Sequence, residues 1–207
     1  MPPLVVSHPL AQCHLTEMRN ASTPLHRFRR HLNLLGRMLF LEATRQLQVT
    51  TIRVQTPLQE TDGVTLARPM VLVPILRAGL GLLDGILSIA PDACVAHVGI
   101  KRDEETALPQ PYYTNLPPVI ADADVFLLDP MLATGGSAVE AVRQLKAAGA
   151  LHVTMLCVVS CPQGIAAVSK VHPEVRIVTA AIDDSLNDHS YIVPGLGDAG
   201  DRYFGTL

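Results

Sequence analysis

VFLLDPMLATGGS, residues 125–137, is the stretch that decides the fold. Val125–Leu128 is a short apolar run of the kind a buried strand makes. Ser137–Ala148 carries apolar residues at helical spacing, and Gly149 follows as a stop. Between strand and helix the backbone must turn sharply, which Gly135 and Gly136 permit by tolerating positive φ. Thr134 and Ser137 add hydroxyl donors, and the opening amides of a helix lack internal partners. Those amides and the helix dipole favour an anion, most simply a phosphate. Asp129 closes the strand at its carboxyl end, where open α/β sheets bind ligands. The spacing excludes a triphosphatase P-loop, because no lysine follows Gly136. An acid ahead of the loop suits a ligand with hydroxyls beside its phosphate, such as a ribose 5-phosphate. Read alone, the same residues also fit a turn capped by Asp129 and Thr134 in a packed domain.

The bulk of the chain agrees with that frame. Its 207 residues are 48% apolar and 4% aromatic, which suits one α/β domain with an aliphatic core. A net charge of -3 argues against general nucleic-acid binding. Cys13, Cys94, Cys157 and Cys161 form no CxxC pair and read as reduced thiols. The histidines show no zinc-ligand spacing. The first residues lack the basic start of a signal peptide, and no apolar run reaches membrane-spanning length. A soluble, cytoplasmic protein is expected.

Taken in order, Met1–Leu15 reads as an arm with an extended piece at Leu4–Val6, packing on a partner subunit or on its own domain. Ser22 or Thr23 is the expected cap of a helix with Pro24 at its first position, running to Leu47. Phe28, Leu32, Leu35, Leu39, Ala43 and Leu47 form its apolar stripe. Arg27, Arg29, Arg30 and Arg37 make a basic face, read as solvated in preference to phosphate-binding. Thr50–Thr56 reads as a strand, with a turn at Gln59–Gly63 and a return at Val64–Leu66. Met70–Ile75 reads as a buried parallel strand leading through Arg77 into a helix from Leu82 to Ile89. Arg77 is placed to grip a phosphate or diphosphate. Cys94–Ile100 is a further strand. Lys101–Pro118 is long for a connection, the length of a lid, a binding loop or a disordered segment, with Arg102 at its base, and it equally fits a solvated charged loop. Val153–Ser160 and Arg176–Ile182 read as strands around a helix at Ile165–Val171. Tyr191–Asp201 is rich in glycine and irregular, so exposed backbone groups there could read a flat polar molecule by its edge.

Together, VPILRAGLG, KRDEET, LLDPMLATGGSA and AIDDSLNDHSYIVPGLGDAGDRYFGT, with HPL, MRN, RFRRHL and LFLEAT upstream, resemble the uracil phosphoribosyltransferase family over nearly the whole chain. The resemblance implies a twisted parallel phosphoribosyltransferase-type sheet flanked by helices, with a small hood and an N-terminal arm plus helix. It divides the single domain into 1–68 (arm, helix and β-hairpin), 69–182 (core) and 183–207 (hood segment). It implies transfer of a 5-phosphoribosyl group from its 1-diphosphate to uracil, giving UMP and diphosphate, with Mg²⁺ held mainly by substrate and water. Asp129, Pro130, Met131, Leu132, Ala133, Thr134, Gly135, Gly136 and Ser137 then hold the sugar phosphate. Arg77 and Arg102 contact the diphosphate, and Asp129, Arg77 and Arg102 carry the catalysis. Ile192, Gly197, Asp198 and Ala199 read uracil, and Asp198 also touches the sugar donor. The N-terminal arm and helix point to at least a homodimer, and the resemblance brings in GTP, an activator of some relatives. Two departures stand out: Lys101 replaces a common aromatic, and Ser190 replaces a common glycine. An RNA-binding regulator on the same core would need a large basic surface, which the acidic net charge weakens. A catalytically dead sensor is disfavoured by the intact Asp129, Arg77, Arg102 and Asp198.

Overall fold

The computed structural model describes residues 1–102 and 109–206, with backbone alone at Arg102. In chain order, β1 (Leu4–Val5), α1 (Pro9–Arg19) and α2 (Leu25–Thr44) precede a hairpin of β2 (Val49–Gln55) and β3 (Glu60–Leu66). The core begins with β4 (Met70–Leu76), α3 (Leu80–Leu87), β5 (Cys94–Val95), β6 (His97–Arg102) and β7 (Pro109–Asn115). It continues through β8 (Asp124–Leu128), β9 (Met131–Leu132), α4 (Gly136–Ala147), β10 (His152–Ser160), α5 (Pro162–Val171) and β11 (Arg176–Ile182). Short β12 (Ser185–Leu186), β13 (Ile192–Val193) and α6 (Ala199–Phe204) close the chain.

Among the described residues nine strands share one sheet in the order β1-β11-β10-β8-β4-β6-β7, with β5 beside β4 and β9 beside β10. Its pairings are parallel except β6 with β7. Successive side chains point to opposite faces, so the aliphatic runs supply two cores at once. Leu72, Phe126, Leu128, Leu156 and Val158 pack with Leu15, Phe28, Leu32, Leu39 and Ile86 of α1, α2 and α3. Val71, Val73, Val125, Leu127 and Met155 pack with Ala141, Val142, Leu145 and Val168 of α4 and α5. Full burial of each large side chain contributes roughly 1.5–3 kcal/mol. No helix among the described residues is long and apolar enough to cross a membrane.

Several expectations need correction. Residues 9–19 are helical, with Ala11, Leu15 and Met18 buried along one side, so little of the expected arm is irregular. What precedes the helix is tied to its own domain: β1 pairs with β11 at the sheet edge. Neither Ser22 nor Thr23 caps α2: its N-cap is Pro24, and Thr23 Oγ1 instead donates to the Glu17 carbonyl. The helix stops at Thr44, and Leu47 packs from beyond its end. The hairpin turns at Thr56–Gln59, where the Thr56 hydroxyl bonds the far side, while Gly63 lies within β3 opposite Ile52. Residues 94–100 divide at Ala96 into β5 and β6. Of the loop expected over 101–118, Lys101 and Arg102 end β6 and Pro109–Asn115 form β7 folded back on it, while residues 103–108 lie outside the described residues. Ala199–Phe204 is a short helix within the segment expected to be irregular.

Candidate active site

The strand–loop–helix unit of residues 124–147 forms at the carboxyl end of the central strands. β8 runs parallel between β4 and β10, and the chain breaks from strand geometry at Asp129 and Pro130 before resuming as β9. The register against β10 is kept across the break: Leu128 pairs Leu156 and Met131 pairs Val159. Asp129 keeps one tie to β10, its amide donating to the Leu156 carbonyl at 3.1 Å, so the loop that follows stays in register.

That loop is fixed from behind. Cys161, at the start of α5, donates its amide to the Leu132 carbonyl at 3.2 Å and its thiol to the Ala133 carbonyl at 3.1 Å. Gly135 then turns at φ 82° into α4, a backbone setting that disfavours any side chain. The N-cap of α4, Gly135, makes no side-chain capping bond, and a helix's amino end suits an anion. Pro130 and Leu132 are buried, so contacts of theirs with a ligand would run through backbone.

A second loop abuts the first. A Cβ at Gly79 would lie 2.3 Å from the Leu128 carbonyl, so only glycine lets the turn after β4 approach so closely. The Leu76–Arg77 peptide in this turn is cis. Arg77 is exposed and reaches across to Asp201, with Nη2 to Oδ1 at 3.3 Å, and its guanidinium lies 5.6 Å from the Phe204 ring. It is the neighbouring Ala78 that lines the cavity below. Arg102 ends β6, and its side chain lies outside the described residues. The partner strand β7 begins at Pro109, which abuts Gly136.

The hood supplies the opposite wall. A cavity of about 420 Å³ is lined on one side by Asp129, Met131 and Ala133, and on the other by Ile192, Gly197, Asp198 and Ala199. The first part of the loop expected to hold a sugar phosphate and the bend expected to read a pyrimidine thus share one space, which Pro130, Leu132 and Thr134–Ser137 do not line. His189, Ser190, Tyr191 and Gly200 complete it, and none of these was singled out as a ligand from sequence. Ser190 holds φ 63°, the left-handed setting a glycine adopts readily. Asp198 starts α6 and accepts the Asp201 N–H at 2.9 Å.

The electrostatics of the cavity centre on Asp129. Burial pushes its carboxyl up from 3.8 to about 7; the Met131 N–H, 3.5 Å away, opposes the rise, and the Asp198 charge adds to it. Among the described residues no cluster of three or more His, Cys, Asp or Glu side chains forms a cage for a metal ion. Two carboxylates on one cavity fit Mg²⁺ only in the form it commonly takes, carried in on substrate phosphates with retained waters.

The family profile for uracil phosphoribosyltransferase matches residues 5–206. A protein of that description from Alkaliphilus oremlandii is 50% identical over 203 residues, covering 98% of this chain and 97% of its own. Another, from Wolinella succinogenes, is 48% identical over 202 residues, covering 97% of each. Among solved structures, the AQ2163 protein of Aquifex aeolicus superposes with a TM-score of 0.94 at 37% identity, over 98% of both chains. The adenine phosphoribosyl transferase of Trypanosoma brucei, solved with AMP, pyrophosphate and ribose-5-phosphate, superposes with a TM-score of 0.55 at 14% identity, over 87% of this chain and 82% of its own. At that identity it shares the fold.

Proposed function

The chain belongs to the uracil phosphoribosyltransferase family, and from that premise we propose how its own residues carry the reaction. The enzyme joins uracil to the 5-phosphoribosyl group of 5-phosphoribosyl 1-diphosphate, releasing diphosphate and forming UMP for pyrimidine salvage. The observation that carries the assignment of roles is the single cavity between the Asp129 loop and the Ile192–Ala199 bend.

In this reading residues 69–182 bind the sugar donor, residues 183–207 form the hood over the base, and residues 1–68 brace the hood and a neighbouring subunit. The amides and hydroxyls of Thr134–Ser137 hold the 5-phosphate at the amino end of α4. Asp129, once ionised, accepts from the ribose hydroxyls and fixes the sugar ring. Arg77 leaves its exposed pairing with Asp201 for the diphosphate, which gathers negative charge as it departs, and Arg102 joins it from the end of β6. Mg²⁺ carried in on the donor, with Asp129 and Asp198 the carboxylates nearest to hand, would add positive charge against the leaving group.

Uracil offers acceptor, donor and acceptor along O2, N3–H and O4. The backbone from Gly197 to Ala199 presents the complementary groups, and Ile192 packs on the ring. Cytosine reverses part of this pattern and leaves buried groups unpaired, at about 1–3 kcal/mol each. The base needs orientation against the sugar carbon more than it needs a general base. Exposed Val49, Ile52, Val64 and Leu66 on the hairpin support a homo-oligomer. The proposal also keeps a cytoplasmic location and GTP as effector, the role it has in some relatives.

The test is direct. The protein, Mg²⁺ and the sugar donor are mixed separately with uracil, cytosine, adenine and hypoxanthine, and the mononucleotide is measured. UMP formed from uracil, with the other bases left unconverted, is expected. Conversion of a purine in preference to uracil would refute the assignment.

A further inference from the structure

We infer that the ion pair between Arg19 of α1 and Asp183, just after β11, is a positioning element that sets the register of the pyrimidine-reading bend. The inference rests on the reading of Ile192 and Gly197–Ala199 as the uracil segment.

Asp183 is 6% exposed, and its carboxylate accepts from both terminal nitrogens of Arg19, at 2.7 and 2.6 Å. The same pair takes hold of one residue of the bend by both of its backbone groups. Gly195 N–H donates to Asp183 Oδ2 at 2.8 Å, and the Gly195 carbonyl accepts from Arg19 Nη1 at 2.8 Å. Gly195 sits at φ 57°, so the clamp grips the chain where it kinks. The next carbonyl, Leu196, accepts from Arg202 Nη1 at 2.7 Å. Arg202 in turn binds the carbonyls of Met18 and Asn20, on either side of Arg19, and its guanidinium lies 4.4 Å from the Phe28 ring.

Two consecutive carbonyls of the bend are therefore committed to arginines anchored on the end of α1. The next residues along the chain, Gly197–Ala199, are the ones that line the cavity. Their donors and acceptors meet a base edge in one register because the residues just before them cannot shift. A planar, two-pronged guanidinium can hold a carboxylate and a carbonyl together, which a lysine ammonium does not reproduce. Neither Arg19 nor Asp183 lines the cavity, so their effect on the base is indirect.

The experiment uses the full-length enzyme with Arg19→Lys, Arg19→Ala, Asp183→Asn and, in parallel, Gly197→Ala. For the clamp variants the KM for uracil should rise roughly tenfold or more and preference for uracil over cytosine should narrow, while the KM for the sugar donor stays within about twofold. Arg19→Lys should recover part of what Arg19→Ala loses. An unchanged uracil KM, or equal losses toward both substrates, would overturn the positioning role. If Gly197→Ala raises the uracil KM and the clamp variants do not, the clamp inference fails while the site reading stands. If none of them moves it, the site reading fails and takes the clamp with it. Should Arg19→Ala not fold, Asp183→Asn and Arg19→Lys give the same readout, and unfolding of all three would mark the pair as a purely structural tie, which also refutes the inference.

Discussion

Asp129 and Asp198 line the same cavity from different walls, and the charge on Asp198 helps to hold the Asp129 carboxyl neutral. The first prediction concerns pH. Between 3.8 and about 7, Asp129 binds more protons in the folded chain than in the unfolded one. Its contribution to stability is therefore greatest at low pH and declines as pH rises through that window. Asp129→Asn removes this dependence, so the melting temperature of the variant relative to the parent should climb with pH across the window in ligand-free protein. Catalysis should run the other way: kcat/KM for the donor should rise as Asp129 ionises, and Asp129→Asn should lower turnover by roughly a hundredfold. A parent and variant with the same turnover would remove Asp129 from the reaction.

Arg77 is 59% exposed, and its contact with Asp201 is an ordinary surface pair. Such pairs are worth about 0–1 kcal/mol, so Arg77→Ala should leave the melting temperature nearly unmoved. On the role proposed for the guanidinium at the departing diphosphate, the variant should raise the KM for the sugar donor and lower kcat. Arg102→Ala should weaken donor binding in the same way. Steady-state kinetics varied in the donor alone will decide both, and an unaltered donor KM in either variant would count against its role.

The phosphate loop has little room to change. Gly135→Ala combines a left-handed backbone with a Cβ 2.8 Å from Ala167 Cβ and 2.9 Å from the Gly164 carbonyl. A loss of roughly 1–3 kcal/mol in stability is expected, together with loss of donor binding as the loop moves off α5. Denaturant unfolding and equilibrium binding of ribose 5-phosphate would read the two effects separately.

Ser190 tests the hood in the opposite sense. Its φ of 63° costs a side-chain-bearing residue roughly 1–2 kcal/mol, part of which a glycine returns as unfolded-state entropy. Thermal stability should therefore rank Ser190→Gly at or above the parent, and Ser190→Val below both. A valine variant as stable as the parent would show that this backbone setting carries no strain.

The parts of the molecule that read well from sequence are those whose pattern is set by burial on both sides. β4, β8, β10 and β11 are near-continuous aliphatic runs, and each stands within about a residue of its expected bounds. Glycine and acid placements marked the Asp129 loop and the 191–201 bend as turns, and the family resemblance, not the pattern, brought them to one cavity. α1 was missed although Ala11, Leu15 and Met18 keep helical spacing, because the helix is short and the polar residues around that stripe leave its apolar signal weak. β7 was missed because PQPYYTN forms an edge strand that is mostly exposed, so no burial pattern marks it. The hairpin turn was misplaced because Gly63 is the obvious breaker, whereas the Thr56 side chain makes the turn through its own hydrogen bonds. Arg19, Asp183 and Arg202 carried no signal of their partnership, since nothing in a one-dimensional string pairs residues so far apart.

That separation bears on how the enzyme is made. Arg19 stands 164 positions before Asp183, and Met18 stands 184 positions before Arg202. The phosphate loop draws on β4, β8 and α4, which leave the ribosome in sequence and can pack before synthesis ends. The end of the first helix meets Asp183 and Arg202 only after those residues have emerged. On the roles proposed for the two loops, a nascent chain halted before Asp183 would have its donor-side loop formed while the clamp on its base-side bend is still missing.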